Sequence, residues 1–158
     1  MFKLTIIALG NKMPKWVEEA ADAFSKRLQD GITLNLIEIP LFKRGKSADL
    51  SRILEKEKGL IEAAIPTGTR VIALDLSGTE FTSEALASRL EHLQKVNSHL
   101  CFLIGGPEGL PKKMVQNSHE RWALSKLTLP HTLARIVFLE AIYRAWSILN
   151  NHPYHRGG

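Results

Sequence analysis

The stretch FLIGGPEGLP, Phe102 to Pro111, ends an apolar run in three glycines, two prolines and one glutamate. Glycine loses the most backbone freedom on folding and proline gives up a donor, so a plain turn seldom needs so many of both. A flat ligand lying against bare backbone is one chemistry that would. A second stretch, LSKLTLPH over 124–131, offers Leu124, Leu127 and Leu129 with main-chain donors and acceptors between them. An adenine ring fits between such leucines, its edge read by backbone groups. The same leucines would serve equally well as inward packing, and the pattern alone does not choose. Glu108 is placed to face a positive centre. The last stretch, NHPYHRGG, gathers His152, Tyr154, His155 and Arg156. Histidines there suit proton transfer near neutral pH, tyrosine suits stacking on a base, and arginine suits a phosphate or a base carbonyl. A frayed terminus is the plain alternative.

These stretches need a scaffold. Lys3 to Leu9 reads as a strand. Trp16, Val17, Ala20, Ala21, Phe24 and Leu28 recur at helical spacing after Pro14. Ile32 to Ile39 reads as a second strand. Ser47 opens a capping pattern for a helix carrying Leu50, Ile53, Leu54 and Ile61, which stops by Pro66. Thr69 to Leu74 is a third strand, and Thr82 caps a helix bearing Leu86, Leu90 and Leu93. Leu100 to Ile104 is a fourth strand, Arg121 to Ser125 a short fifth, and Leu133 to Leu149 a last helix. Alternation of this kind predicts one α/β domain over 1–158, a parallel sheet with helices on both faces. Ligands of such sheets sit beyond the carboxyl ends of the strands. LDLSG at 74–78, GGPEGLP at 105–111 and LSKLTLPH all fall there, so one composite pocket is expected. Trp16 and Trp146 are expected in the core.

The last helix is apolar nearly all the way round, interrupted by Arg135, Glu140, Arg144 and Ser147. A helix of that kind is buried on every side. In a chain of 158 residues a second copy is the simplest cover, so a homodimer is expected.

Composition narrows the partners. The formal charge is +5, which favours an acidic partner such as nucleic acid. Lys43, Arg44 and Lys46 form one tight basic segment suited to phosphates. The single cysteine, Cys101, lies in an apolar run and rules out an internal disulfide; the cytoplasm is the expected compartment. No membrane-length apolar run and no metal-ligand spacing is present, so neither membrane nor metal is expected. Walker A, G-x-G-x-x-G after the first strand, and G-x-S-x-G are all missing.

Several segments then resemble one family, in order and over nearly the whole chain. They are ALGNKMPKWV, LIEIPLFKRGKSADLSRILEKE, VIALDLSG, LIGGPEGL, WALSKLTLPHTLARIVFLEAIYRAWSI and NHPYHR. They resemble the bacterial family of ribosomal large subunit methyltransferase H, of the SPOUT class. That resemblance implies a C-terminal trefoil knot, which general rules of chain topology would reject. It implies an obligate homodimer and S-adenosyl-L-methionine as cofactor. It implies methylation of N3 of a pseudouridine in 23S rRNA within the ribosome. By the match, the cofactor-binding residues are Leu74, Gly105, Gly106, Gly109, Leu124, Ser125, Lys126, Leu127, Thr128 and Leu129, with Lys126 contributing main chain only. His152, Tyr154, His155 and Arg156 are the catalytic candidates, and His131 is expected to orient either the tail or the cofactor loop. Thr132 stands where many relatives would have proline. A noncatalytic ribosome- or RNA-binding α/β module and a flavodoxin-like nucleotide-binding regulator are the rival readings.

Overall fold

Runs rich in Ile, Leu and Val pair into a five-stranded sheet in the computed structural model, which describes residues 2–28, 30–46 and 49–157. The strands are β1 (Phe2–Leu9), β2 (Ile32–Ile39), β3 (Arg70–Glu80), β4 (His99–Ile104) and β5 (Glu120–Ala123). Their order is β2-β1-β4-β3-β5, and every pairing is parallel. Helices α1 (Lys15–Arg27), α2 (Leu50–Ala64), α3 (Ser83–Val96), α4 (Lys112–Asn117) and α5 (His131–Leu149) complete the element order, and the chain ends in a 3₁₀ turn at Pro153–Gly157.

Crossover handedness sorts the helices. The steps β1 to β2 and β3 to β4 run one way along the sheet, and β2 to β3 and β4 to β5 run the other. Right-handed connections then put α1 and α3 on one face and α2 and α4 on the other. The two cores agree. Phe2, Leu4, Ile6 and Ala8 of β1 join residues of α1, α3 and α5 in one core. Ile7 and Leu9, from the alternate positions, join Ile61 of α2 and Met114 and Val115 of α4 in the other. A strand covered on both faces needs a continuous apolar run, and β1 has one.

The expected parallel sheet with helices on both faces is therefore present. Details differ. Ser47 lies outside the described residues; the α2 cap is Asp49, whose carboxylate accepts from the Arg52 N–H at 3.3 Å. Thr82 caps α3 as read from the sequence, accepting from the Ala85 N–H at 3.1 Å. β3 does not stop at Asp75. Leu74 pairs with Trp122, the chain loops out, and Thr79 returns to pair with Trp122 again. Gly78 permits the return, because a Cβ there would lie 2.5–2.6 Å from the Arg121 and Trp122 backbone. Helix α4 was not anticipated at all. Trp146 is 5 % exposed and in the core, but Trp16 is 50 % exposed. It sits in the first turn of α1, one position before buried Val17, so the helical stripe places it beside the core and not within it.

Candidate functional site

The carboxyl ends of β3, β4 and β5 enclose a cleft of about 350 Å³. Its walls include Leu74, Gly105, Gly106, Gly109, Leu124, Ser125, Leu127, Thr128 and Leu129. Nine of the ten residues expected to bind a cofactor therefore line one cavity. Lys126 does not line it. Its neighbours fold into a tight turn, the Ser125 hydroxyl accepting from the Leu127 N–H at 2.7 Å and lying 3.2 Å from the Leu127 carbonyl. Asp75, Leu76, Ile104, Pro107, Glu108, His131 and Ala134 complete the wall. Most of these simply continue the same strand ends. Ala134 had no signal of its own, because helical spacing also fits an ordinary core position.

The glycine loop owes its composition first to itself. Gly106 to Gly109 is a turn with Pro107 at its second position, closed by the Gly109 N–H donating to the Gly106 carbonyl at 2.9 Å. Gly109 has φ of +75°, the left-handed region. A Cβ on Gly105 would lie 2.4 Å from the Gly109 carbonyl carbon and 2.6 Å from the Leu110 nitrogen. Gly105 thus has a reason to be bare that needs no ligand: the turn folds back over it. The cleft beside the turn is a consequence.

Glu108 also has a partner of its own. Arg44 donates to it from Nη2 at 2.7 Å and from Nε at 3.1 Å. The same guanidinium donates to both carboxylate oxygens of Glu57, at 2.7 and 2.8 Å. Glu57 is buried and further accepts from the Phe42 N–H at 2.9 Å. The hydrogen bonds from Arg44 hold the Glu108 carboxyl below the usual carboxylate range, against a smaller effect of burial. Arg44 is therefore a brace between α2 and the glycine turn, and not the free phosphate ligand that its basic neighbours suggested.

His131 opens α5 at the cleft wall, beside the cofactor loop and away from the tail of its own chain. Burial and then the Arg135 charge push its pKa down, while Glu108 pulls the other way. Arg135 is only 2 % exposed; it donates to Glu38 and, at 2.9 Å, to the Gly10 carbonyl. It ties the start of α5 to the ends of β1 and β2. One signal could have exposed it: a lone cation inside an otherwise apolar helix turn. Cys101 is buried, and burial pushes its thiol up to about 12, which leaves it an inert core residue.

The four tail residues are together, but not at the cleft. Tyr154 packs on Tyr143 at 4.5 Å between ring centres, and its hydroxyl lies 3.2 Å from a Glu140 carboxylate oxygen. Burial, then Glu140, pushes the Tyr154 pKa up, so the phenol stays protonated. The His152 ring lies tilted against Trp146 at 5.5 Å, His155 Nδ1 lies 3.2 Å from the Ser147 hydroxyl, and Arg156 donates to Asn151 at 2.9 Å. From Ala134 to Ser147 the helix climbs about 20 Å at 1.5 Å per residue. The tail histidines and the cleft of one chain are thus held apart by α5 itself.

Residues 2–155 match the family model described as "Predicted SPOUT methyltransferase". The chain belongs to the SPOUT methyltransferase family. This SPOUT chain is 60% identical over 156 residues to the "Ribosomal RNA large subunit methyltransferase H" of Legionella pneumophila (strain Paris), covering 99% of this chain and 100% of that protein. It is 43% identical to the protein of the same name from Marinomonas sp. (strain MWYL1), covering 98% and 99%. Among solved structures, a probable methyltransferase from Bordetella pertussis Tohama I is similar in fold, with a TM-score of 0.58 and 17% identity over 91% of this chain and 96% of that one. A probable methylase family protein from Haemophilus influenzae Rd KW20 has a TM-score of 0.54 at 14% identity, over 96% and 69%. These two likenesses speak to the SPOUT fold alone.

Proposed function

We propose that this chain is a single-domain SPOUT enzyme that methylates the RNA of the large ribosomal subunit, at N3 of a pseudouridine in 23S rRNA of the assembled ribosome in the cytoplasm. The observation that carries the reading is the cleft: the segments expected to hold a cofactor converge on one cavity, in a chain 60% identical to a relative named for that reaction.

The cleft suits S-adenosyl-L-methionine. Leu74, Leu124, Leu127 and Leu129 give an apolar wall for a ring, and the strand ends supply backbone groups for its edge. Asp75 brings negative charge to the same wall, which favours a cationic ligand. Bound there, the cofactor would supply an electrophilic methyl group. The protein must then exclude water, hold the acceptor in line and help its imide nitrogen lose a proton. Tyr154, kept as a phenol, is suited to stacking and donating and not to removing that proton. His152 and His155 are the residues proposed for proton transfer, and Arg156 for holding the RNA.

A single chain does not bring these groups to the cleft, and its surface suggests what does. Leu133 and Val137 of α5 are 40 % and 36 % exposed, Leu127 is 74 % and Leu76 is 59 % exposed. Apolar side chains of this size beside a cleft mark an interface. A second copy packed there would cover α5 and set its own tail against the cleft. Threading of the C-terminal segment into a trefoil knot belongs to the same proposal.

The test has two arms. Calorimetry with S-adenosylmethionine should show saturable binding at one site per cleft, and purified ribosomes lacking the modification should accept labelled methyl groups. Binding without transfer would favour the noncatalytic module; no binding would remove the cofactor reading.

A further inference from the structure

Ligand chemistry at the carboxyl edge of the sheet is not confined to the cleft. Neighbouring strands β2, β1 and β4 deliver three loops side by side there. The Gly10 N–H donates to the Ile39 carbonyl at 2.7 Å, and a Cβ on Gly106 would lie 3.1 Å from Leu41, so these loops touch. On the α2 and α4 side, the loop after β2 carries exposed Lys43 and Lys46, and the first turn of α4 carries exposed Lys112 and Lys113. Lys56, on α2, holds its ammonium 4.4 Å from the centre of the Phe42 ring in the same loop.

Among the described residues, the acids beside these lysines have partners. Glu57 and Glu108 are both engaged by Arg44, and Asp49 caps α2. Among the described residues, Lys43, Lys46, Lys112 and Lys113 make no ion pair. Arg44 leaves one negative charge over from Glu57 and Glu108, and Asp49 adds another, so these four lysines still leave the surface net positive on a chain whose formal charge is only +5. Arg44 explains how the surface keeps its shape. It fastens the lysine-bearing loop to a buried carboxylate on one side and to the glycine turn on the other. The lysines are therefore presented at a fixed position beside the cleft mouth.

We infer that Lys43, Lys46, Lys112 and Lys113 form the track that grips the sugar-phosphate backbone of the rRNA as the target nucleotide enters the cleft. This rests on the rRNA reading above. RNA is favoured over a second copy because the apolar stripe of α5 lies on the opposite face of the sheet, leaving the lysine face uncovered in the dimer. Compact ammonium groups on flexible stems suit phosphates as point charges and carry no base specificity.

Phosphate contacts have a thermodynamic signature. Each one adds about 0.7–0.9 to the steepness with which log affinity falls against log salt concentration. The variant K43A/K46A/K112A/K113A should lose about 3 from that slope for purified unmethylated ribosomes. Its S-adenosylmethionine affinity and its oligomeric state should equal those of the parent. The control variant K3A/K26A/K95A lowers net charge similarly but places its substitutions on β1's start and the last turns of α1 and α3, at the opposite edge. Its slope should stay at the parental value. If the parent binds and methylates ribosomes while the fourfold variant keeps the parental slope, the track is wrong. Equal losses in both variants would reduce it to general net charge and overturn it. Loss of the dimer would reassign the face to protein contact and overturn it too. Should the parent itself neither bind nor methylate ribosomes, the rRNA reading fails first, and the track with it.

Discussion

Glycines in one loop can answer to different constraints, and the two ends of the GGPEG turn separate them. Gly105 faces the backbone of its own turn at 2.4 Å, whereas a Cβ on Gly109 would meet nothing within 4 Å. Gly105→Ala must push the turn away from β4, at about 1–3 kcal/mol for overpacking. It should weaken S-adenosylmethionine binding by distorting the wall, not by filling the cavity. Gly109→Ala carries the strain of its φ of +75°, about 1–2 kcal/mol, without pushing the turn off β4. Calorimetry and thermal melts on both variants check the pair; parental affinity in a folded Gly105→Ala would refute the packing account. Glu120 makes a second prediction at this scale. Burial opposes its charge, but hydrogen bonds from Arg89, Trp122 and Arg70 outweigh burial and hold its pKa at about 2. A carboxyl lowered from 4.5 stabilises the fold fully above pH 4.5 and loses that contribution as the pH falls toward 2. Acid titration of stability should therefore steepen between those values, and Glu120→Gln should flatten that limb while lowering stability at pH 7. Equal acid limbs in parent and variant would show that the cluster contributes nothing.

Elements turn these side chains into a site, and the tail is the element whose behaviour changes most once its contacts are known. A frayed terminus would make residues 151–158 dispensable for stability. The packing says otherwise: Tyr154 lies against the main core, and His155 lies within hydrogen-bond distance of buried Ser147. Truncation after Asn150 should lower stability by about 1–3 kcal/mol through lost burial of Tyr154 and the lost His155 contact. It should also eliminate methyl transfer while cofactor affinity survives. A truncated chain that methylates ribosomes at the parental rate would reduce the tail to packing. The same contrast governs what was legible beforehand. Strand β2 and helix α3 could be read from apolar spacing and flanking punctuation, because local pattern and tertiary role agree there. The three cleft loops could be placed because strand ends of a parallel sheet converge, and the family resemblance named the residues within them. The loop-out of β3 could not, since it depends on Gly78 meeting the Arg121 backbone far along the chain. Arg44 was misplaced for the same reason. Its partners Glu57 and Glu108 come from two other segments, and nothing in KRGK distinguishes a braced arginine from an exposed one. Helix α4 is too short for its periodicity to register.

At the scale of the whole molecule, the decisive fact is separation. The cleft lies at the start of α5, and His152, His155 and Arg156 are anchored around its far end. A rigid helix cannot close that gap within one chain, so an active site containing both must combine two chains, the tail of one over the cleft of the other. In the dimer proposed above, the exposed Leu133 and Val137 are the surface offered for that pairing. Leu133→Glu with Val137→Glu should produce a monomer that still binds cofactor weakly and transfers no methyl groups. Complementation makes the stronger test. One inactive chain carries Gly105→Val and an intact tail; the other has an intact cleft and ends at Asn150. Each homodimer should be silent. Co-expressed, the two chains form mixed dimers in which one cleft is intact and faces an intact tail. Random pairing should then restore about a quarter of parental activity. Cleft and tail acting within one chain would leave the mixture as silent as its parts, because no chain in it carries both.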